Sequence, residues 1–155
     1  MKVSFRKTTE SAIEPSEVGF CEYNIHPLNS YNVEPLERTM IRTGICFNFP
    51  KPKKILVGPD VVYEHVTLEI TPKENLFVST GLLLLDKTIN HTHEGEITIE
   101  VINMTLPDFL LYNKEAPKSV LARAHFFGST NSARLGKEDP MAKLRINIVQ
   151  SAKAS

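Results

Sequence analysis

The chain carries no net charge, since eighteen basic and eighteen acidic residues cancel among 155. That removes the positive field needed for generic nucleic-acid or anionic-membrane binding, and with it the self-repulsion that keeps copies apart. Long hydrophobic runs are also missing. The longest purely apolar stretch, residues 82–85, falls far short of the about 20 residues that cross a bilayer, and the N-terminal residues lack an apolar signal core. Only two cysteines are present, Cys21 and Cys46, in strand-like runs without CxxC spacing. Buried free thiols in a reducing compartment are therefore expected, rather than a disulfide framework. No Gly-x-x-x-x-Gly-Lys loop, Ser-centred nucleophile elbow or Gly-x-Gly-x-x-Gly occurs, which excludes the enzymes built on them. A soluble protein, cytoplasmic or otherwise intracellular, is expected, with neither a membrane nor generic nucleic acid as partner.

What is present is alternation. Ile41, Thr43, Ile45, Phe47 and Phe49 share one face of an extended chain while Arg42, Gly44 and Asn48 share the other. Val62, Val66, Leu68 and Ile70 alternate with Tyr63, His65, Thr67 and Glu69, and Ile97, Ile99 and Val101 alternate with Thr98 and Glu100. Further strands are predicted at 3–6, 20–25, 55–57, 76–79, 82–85, 109–112, 121–127 and 144–150, and 115–125 has the composition of a short helix with Pro117 in its first turn. Proline and glycine interrupt every helical period, at Pro50, Pro52, Gly58-Pro59, Pro72, Gly81, Pro107, Pro117 and Gly128. Short strands with regular turns predict an all-β protein, a single-domain jelly roll or β-barrel over residues 1–150 with a flexible tail at 151–155.

The loop at 89–96 concentrates polar chemistry. His91 and His93 are one residue apart, and in an extended backbone both rings point the same way, with Glu94 and Glu96 at hand to complete a metal shell. This is a cupin-like arrangement, set against two ordinary loop histidines. Asn90-His91-Thr92 and Asn103-Met104-Thr105 are formal glycosylation sequons, expected to be unused without a secretory route. The turn Phe127-Gly128-Ser129-Thr130 offers backbone amides and hydroxyls to an anion.

In order along the chain, several of these pieces resemble the trimeric dUTPase family, β-barrel enzymes that hydrolyse dUTP to dUMP and pyrophosphate with magnesium. Residues 37–45, ending in Thr43-Gly44-Ile45 and running on to Pro50, look like the family's strand with Thr-Gly-Ile and a terminal proline. Residues 89–97, running to Asn103, are similar to its third motif, Ile-Asp-x-Asp-Tyr-x-Gly-Glu. Val18-Gly19-Phe20 resembles the first motif, Ala-Gly-Tyr-Asp, and Leu121-Ala122-Arg123 the fourth, Ile-Ala-Gln. Phe127-Gly128-Ser129-Thr130 copies the C-terminal Phe-Gly-Ser-Thr.

The resemblance implies a homotrimer, a nucleotide ligand and magnesium, with family members frequent in viruses and phages. It also implies altered chemistry. The water-orienting aspartate falls on Asn90, which is no carboxylate base. The aromatic that packs on deoxyribose falls on His93, and the phosphate motif Pro-Arg-Ser-Ser on Pro72-Lys73-Glu74-Asn75, where Glu74 opposes phosphate. The implied ligand contacts are Lys73, Asn75, His91, His93, Arg123, Phe127, Ser129 and Thr130; a metal would take His91, His93 and Glu96. The expectation is a divergent dUTPase-like protein that has lost efficient hydrolysis, binding and sequestering a nucleotide or docking a protein partner. The alternatives are an active magnesium-dependent dUTP diphosphatase using Glu94 or Asp86 as its carboxylate, a structural virion jelly roll, and the cupin-like metal protein.

Overall fold

The computed structural model describes residues 4–105 and 132–152. In chain order the elements are β1 (Phe5–Lys7), β2 (Ser16–Gly19), β3 (Glu22–Ile25), β4 (Tyr31–Val33), β5 (Arg38–Arg42), β6 (Ile45–Phe47), β7 (Lys53–Val57), β8 (Asp60–Pro72), α1 (Leu76–Thr80), β9 (Leu82–Leu84), β10 (Lys87–Ile89), β11 (Thr98–Asn103), β12 (Ala133–Leu135) and β13 (Ala142–Ser151). All the strand pairs are antiparallel, as an all-β jelly roll or barrel requires.

The largest sheet runs β10-β8-β13-β3-β2, with β7 also paired to β8. β5-β11-β9 forms a second sheet, and β1-β6 and β12-β4 are two-stranded pairs. Along β8 the buried residues are Val66, Leu68 and Ile70, and on β13 they are Ala142, Leu144 and Ile146, with Leu144 opposite Ile70 and Ile146 opposite Leu68. β11 contributes Ile99 and Val101, and Ile41 and Leu84 come from its neighbours. The period-two reading of 62–70 and 97–101 therefore holds.

The strand predicted through residues 41–49 is broken. Ile41, Thr43, Ile45 and Phe47 are all buried, as the alternation requires, but Gly44 has φ 70 and divides β5 from β6. A Cβ on Gly44 would stand 2.7 Å from the Ala12 Cβ and 2.8 Å from the Leu28 Cδ1, so only glycine fits. The break is bonded. Thr43 Oγ1 donates to the Ile97 carbonyl at 2.6 Å, the Thr8 amide donates to the Gly44 carbonyl at 2.8 Å and the Ile97 amide to the Ile45 carbonyl at 2.8 Å.

Residues 76–79, predicted as a strand, are helical, bracketed by left-handed Asn75 (φ 66) and Gly81 (φ 77). Thr80 Oγ1 donates back to the Leu76 carbonyl, which closes the turn. The predicted strand 20–25 begins only at Glu22, because Cys21 has φ 56 and Phe20 projects into solvent. β13 runs on to Ser151, paired with Tyr63, so the flexible tail expected from residue 151 does not include that residue. The strands and helix predicted at 109–112, 121–127 and 115–125, and the anion turn at 127–130, lie outside the described residues. Both cysteines are free thiols, with Cys46 buried and Cys21 partly so. No helix among the described residues is long and apolar enough to cross a membrane.

Candidate functional site

β10 delivers the 90–96 loop to the edge of β8, with Ile89 opposite Leu68. There the chain turns instead of staying extended: the His93 amide donates to the Asn90 carbonyl at 2.9 Å, and the Thr92 amide to Asn90 Oδ1 at 3.1 Å. Asn90 is thus the acceptor of an Asx turn, a use of its side chain that shapes the loop. Glu94 is exposed, and so is Asp86 in the β9–β10 turn.

The histidines are not a metal shell. His91 packs against His65 of β8 with ring centroids 4.7 Å apart, whereas His93 Nε2 lies 3.4 Å from the Glu96 carbonyl. Glu96 is occupied: Arg42 Nε donates to its Oε2 at 2.9 Å, Arg42 Nη2 to its Oε1 at 3.1 Å, and Thr8 Oγ1 to Oε1 at 3.0 Å. The Arg42 hydrogen bonds, helped by Thr8 and against partial burial, hold the Glu96 carboxyl below its ordinary value. Among the described residues no three His, Cys, Asp or Glu side chains come together in a way that could hold a metal ion. The set His91, His93 and Glu96 is corrected accordingly: the turn at 90–93 removes the extended backbone on which it depended.

Asn103, the strand-ending residue of that segment, is fully buried. Its Nδ2 donates to the Val33 carbonyl at 2.7 Å and its Oδ1 accepts from the Thr105 amide and hydroxyl at 2.9 and 2.7 Å. A side chain so engaged takes no glycan.

A cleft of about 430 Å³ opens on the outer face of the large sheet, lined by Glu22, Glu69, Thr71, Glu74, Lys143 and Arg145. Strand register builds it: Arg145 faces Glu69 on β8 and Glu22 on β3, and Lys143 faces Thr71. Every charge is answered, Arg145 by Glu22, Lys143 Nζ by Glu74 at 3.6 Å and Glu69 by Asn147 Nδ2 at 3.3 Å. The Arg145 hydrogen bond and charge lower the Glu22 carboxyl from its ordinary value. A second cleft, about 220 Å³, is lined by Lys73, Glu74, Ser79, Thr80, Arg134 and Asp139. Lys73 and Glu74 stand in the turn that leads into α1, and Asn75 immediately precedes it. Arg123, Phe127, Ser129 and Thr130 lie outside the described residues, as does Leu121-Ala122-Arg123.

Lys143 and Arg145 escaped the sequence reading. The signal was Met141-Ala142-Lys143, which has the form of Ile-Ala-Gln with a cation in place of the glutamine, and whose Ala142 pairs with Pro72 of the phosphate-motif segment. The loop and the cleft share β8: from Leu68 to Pro72 is about 13 Å at roughly 3.3 Å per residue.

Comparison places this architecture. Solved structures that match include a dUTPase mutant of Staphylococcus bacteriophage 80alpha with dUpNHpp, at TM-score 0.70 and 16% identity over 99% of this chain and 94% of that one. The dUTPase from phage phi11 of S. aureus matches at TM-score 0.70 and 14% identity, over 100% and 95%. The fold is that of the dUTPases. Among curated proteins, the deoxyuridine 5'-triphosphate nucleotidohydrolase of Clostridium novyi (strain NT) is 28% identical over 113 residues, 70% of this chain and 70% of that protein. That of Swinepox virus (strain Kasza) is 30% identical over 105 residues, 66% and 65% respectively, and that of Finegoldia magna 29% over 85 residues, 54% and 50%. No family model matches. The chain has the dUTPase fold, and about two thirds of it is similar in sequence to curated dUTPases at 28 to 30% identity.

Proposed function

We propose that the protein is an intracellular, homotrimeric dUTPase-fold protein that holds a nucleotide without turning it over efficiently. The observation that carries this reading is Asn90: an amide stands where the water-orienting carboxylate of the third motif is expected, and its oxygen is occupied by the Thr92 amide. General base catalysis is worth about 10² to 10⁴ in rate. The cleft adds a second loss, because Glu22, Glu69 and Glu74 surround its two cations.

Binding survives that arrangement better than hydrolysis. The Lys143–Glu74 pair is solvent-exposed on the Glu74 side, and such pairs contribute about 0–1 kcal/mol, so a phosphate can displace Glu74 from Lys143. Lys73, Asn75, His91 and His93 are the further ligand contacts in this reading, together with Arg123, Phe127, Ser129 and Thr130. A phage dUTPase among the structural neighbours coordinates a structural Mg(II) ion. The described residues here do not fit such an ion, since no three acidic or histidine side chains converge.

A second reading, an active dUTP diphosphatase with Glu94 or Asp86 as its carboxylate, draws on the curated relatives at 28 to 30% identity. The deciding experiment measures pyrophosphate release from dUTP with magnesium alongside thermal melting with dUpNHpp. Stabilisation without product supports the binding reading, and sustained turnover of many dUTP molecules per protein rejects it.

A further inference from the structure

The hairpin β7–β8 reaches beyond the core. Its turn, Gly58-Pro59, joins Val57 to Asp60, and a Cβ on Gly58 would meet nothing within 4 Å. Leu56 is 74% exposed, Val57 51% and Val61 38%. These lie on both faces of the hairpin, Leu56 and Val61 together on one and Val57 on the other. Among the described residues β7 pairs only with β8, which leaves its other edge open. An apolar strand exposed on both faces and at one edge is a template for another strand.

We propose that the occupant is β7 of a second copy, paired antiparallel about a twofold axis at Ile55. The charges select both partner and register. With the axis at Ile55, Lys53 faces the partner's Val57 and Lys54 faces the partner's Leu56, so no lysine meets a lysine; an axis at Lys54 would set two ammonium groups opposite each other. Lys53 already sits opposite Glu64 across β7–β8, and Val57 opposite Asp60. In the pair, Lys53 therefore lies between its own Glu64 and the partner's Val57, with the partner's Asp60 on the same face one strand further on. On the other face, the methylene stem of Lys54 covers the partner's Leu56 and leaves its ammonium in water. A chain of zero net charge has no long-range repulsion to oppose the contact. The pairing is independent of the nucleotide reading, and it joins two monomers or two trimers equally well.

The test uses the full chain with Cys21 replaced by serine. Ile55→Cys places two thiols on the axis, directly opposite each other in adjacent strands, within disulfide reach. Mild oxidation is expected to give a covalent dimer from Ile55→Cys and none from Leu56→Cys, whose counterpart across the pair is a lysine. In light scattering, Leu56→Lys is expected to halve the assembly mass with unchanged circular dichroism, because it opposes two ammonium groups. Equal crosslinking at 55 and 56, or no crosslink together with an unchanged mass, overturns the proposal; an edge already covered by the chain's own residues would give the latter.

Discussion

Arg42 and Glu96 form a two-pronged ion pair, Nε to Oε2 at 2.9 Å and Nη2 to Oε1 at 3.1 Å, that ties the end of β5 to the end of the 90–96 loop. Thr8 joins the same carboxylate from the N-terminal segment, so one side chain fixes three separate parts of the chain. Glu96→Gln is expected to cost about 1–2 kcal/mol, since charge-assisted bonds are lost and Arg42 is more than half exposed. The pH dependence has a definite sign. Because the folded Glu96 carboxyl lies below its ordinary value of 4.5, its contribution is complete above that pH and is lost as pH falls through the lowered folded value. Urea denaturation between pH 7 and 3 should therefore show a difference between wild type and Glu96→Gln that shrinks on the acid side. A difference constant with pH would refute the assignment.

Gly44→Ala tests the break between β5 and β6. The left-handed φ of 70 costs an alanine about 1–2 kcal/mol, and its Cβ at 2.7 Å from Ala12 and 2.8 Å from Leu28 adds an overpacking cost of about 1–3 kcal/mol. A loss of roughly 2–5 kcal/mol in chemical denaturation is expected. Ala12→Gly in the same chain should recover part of the packing cost and none of the backbone cost.

How far the sequence could be read depended on whether a feature is local. The alternation through 62–70 and 97–101 reports burial directly, and those strands are where it placed them. Residues 76–79 misled because four residues, mostly apolar, are too few to separate a period of 2 from one of 3.6; the brackets at Asn75 and Gly81 were the better signal. β4, β10 and β12 have three residues each, too short to show alternation. The paired-histidine reading assumed an extended backbone that the Asn90 turn bends away. Lys143 and Arg145 could not be grouped with Glu22, Glu69 and Glu74, because only the register of β13 against β8 and β3 brings them to one cleft.

Asn103 should be among the least replaceable polar residues. It is fully buried and satisfies Val33, Thr105 and, through its backbone, Leu36 and Glu37. Asn103→Leu removes the side-chain partners of a buried carbonyl and a buried hydroxyl, and leaving such groups unsatisfied costs about 1–3 kcal/mol each. A loss of about 3 kcal/mol or more in equilibrium unfolding is expected, and a variant within 1 kcal/mol of wild type would remove Asn103 from this role.

Restoring the chemistry is the strictest test of the Asn90 reading. Asn90→Asp keeps a side-chain oxygen for the Thr92 amide, so the loop retains its turn while gaining a carboxylate. Glu74→Ser removes one of three acids from the cleft and releases Lys143 for phosphate. Glu74→Ser alone should leave hydrolysis near background, because the base is still absent, and Asn90→Asp alone should recover less than the pair, because Glu74 still competes with phosphate for Lys143. Together they are expected to raise magnesium-dependent pyrophosphate release from dUTP by about 10² or more, the lower end of what a general base supplies. A folded double variant that binds dUpNHpp and still releases no pyrophosphate would show that Asn90 is not the site of the missing base. Full activity in the unaltered chain would show that no base is missing.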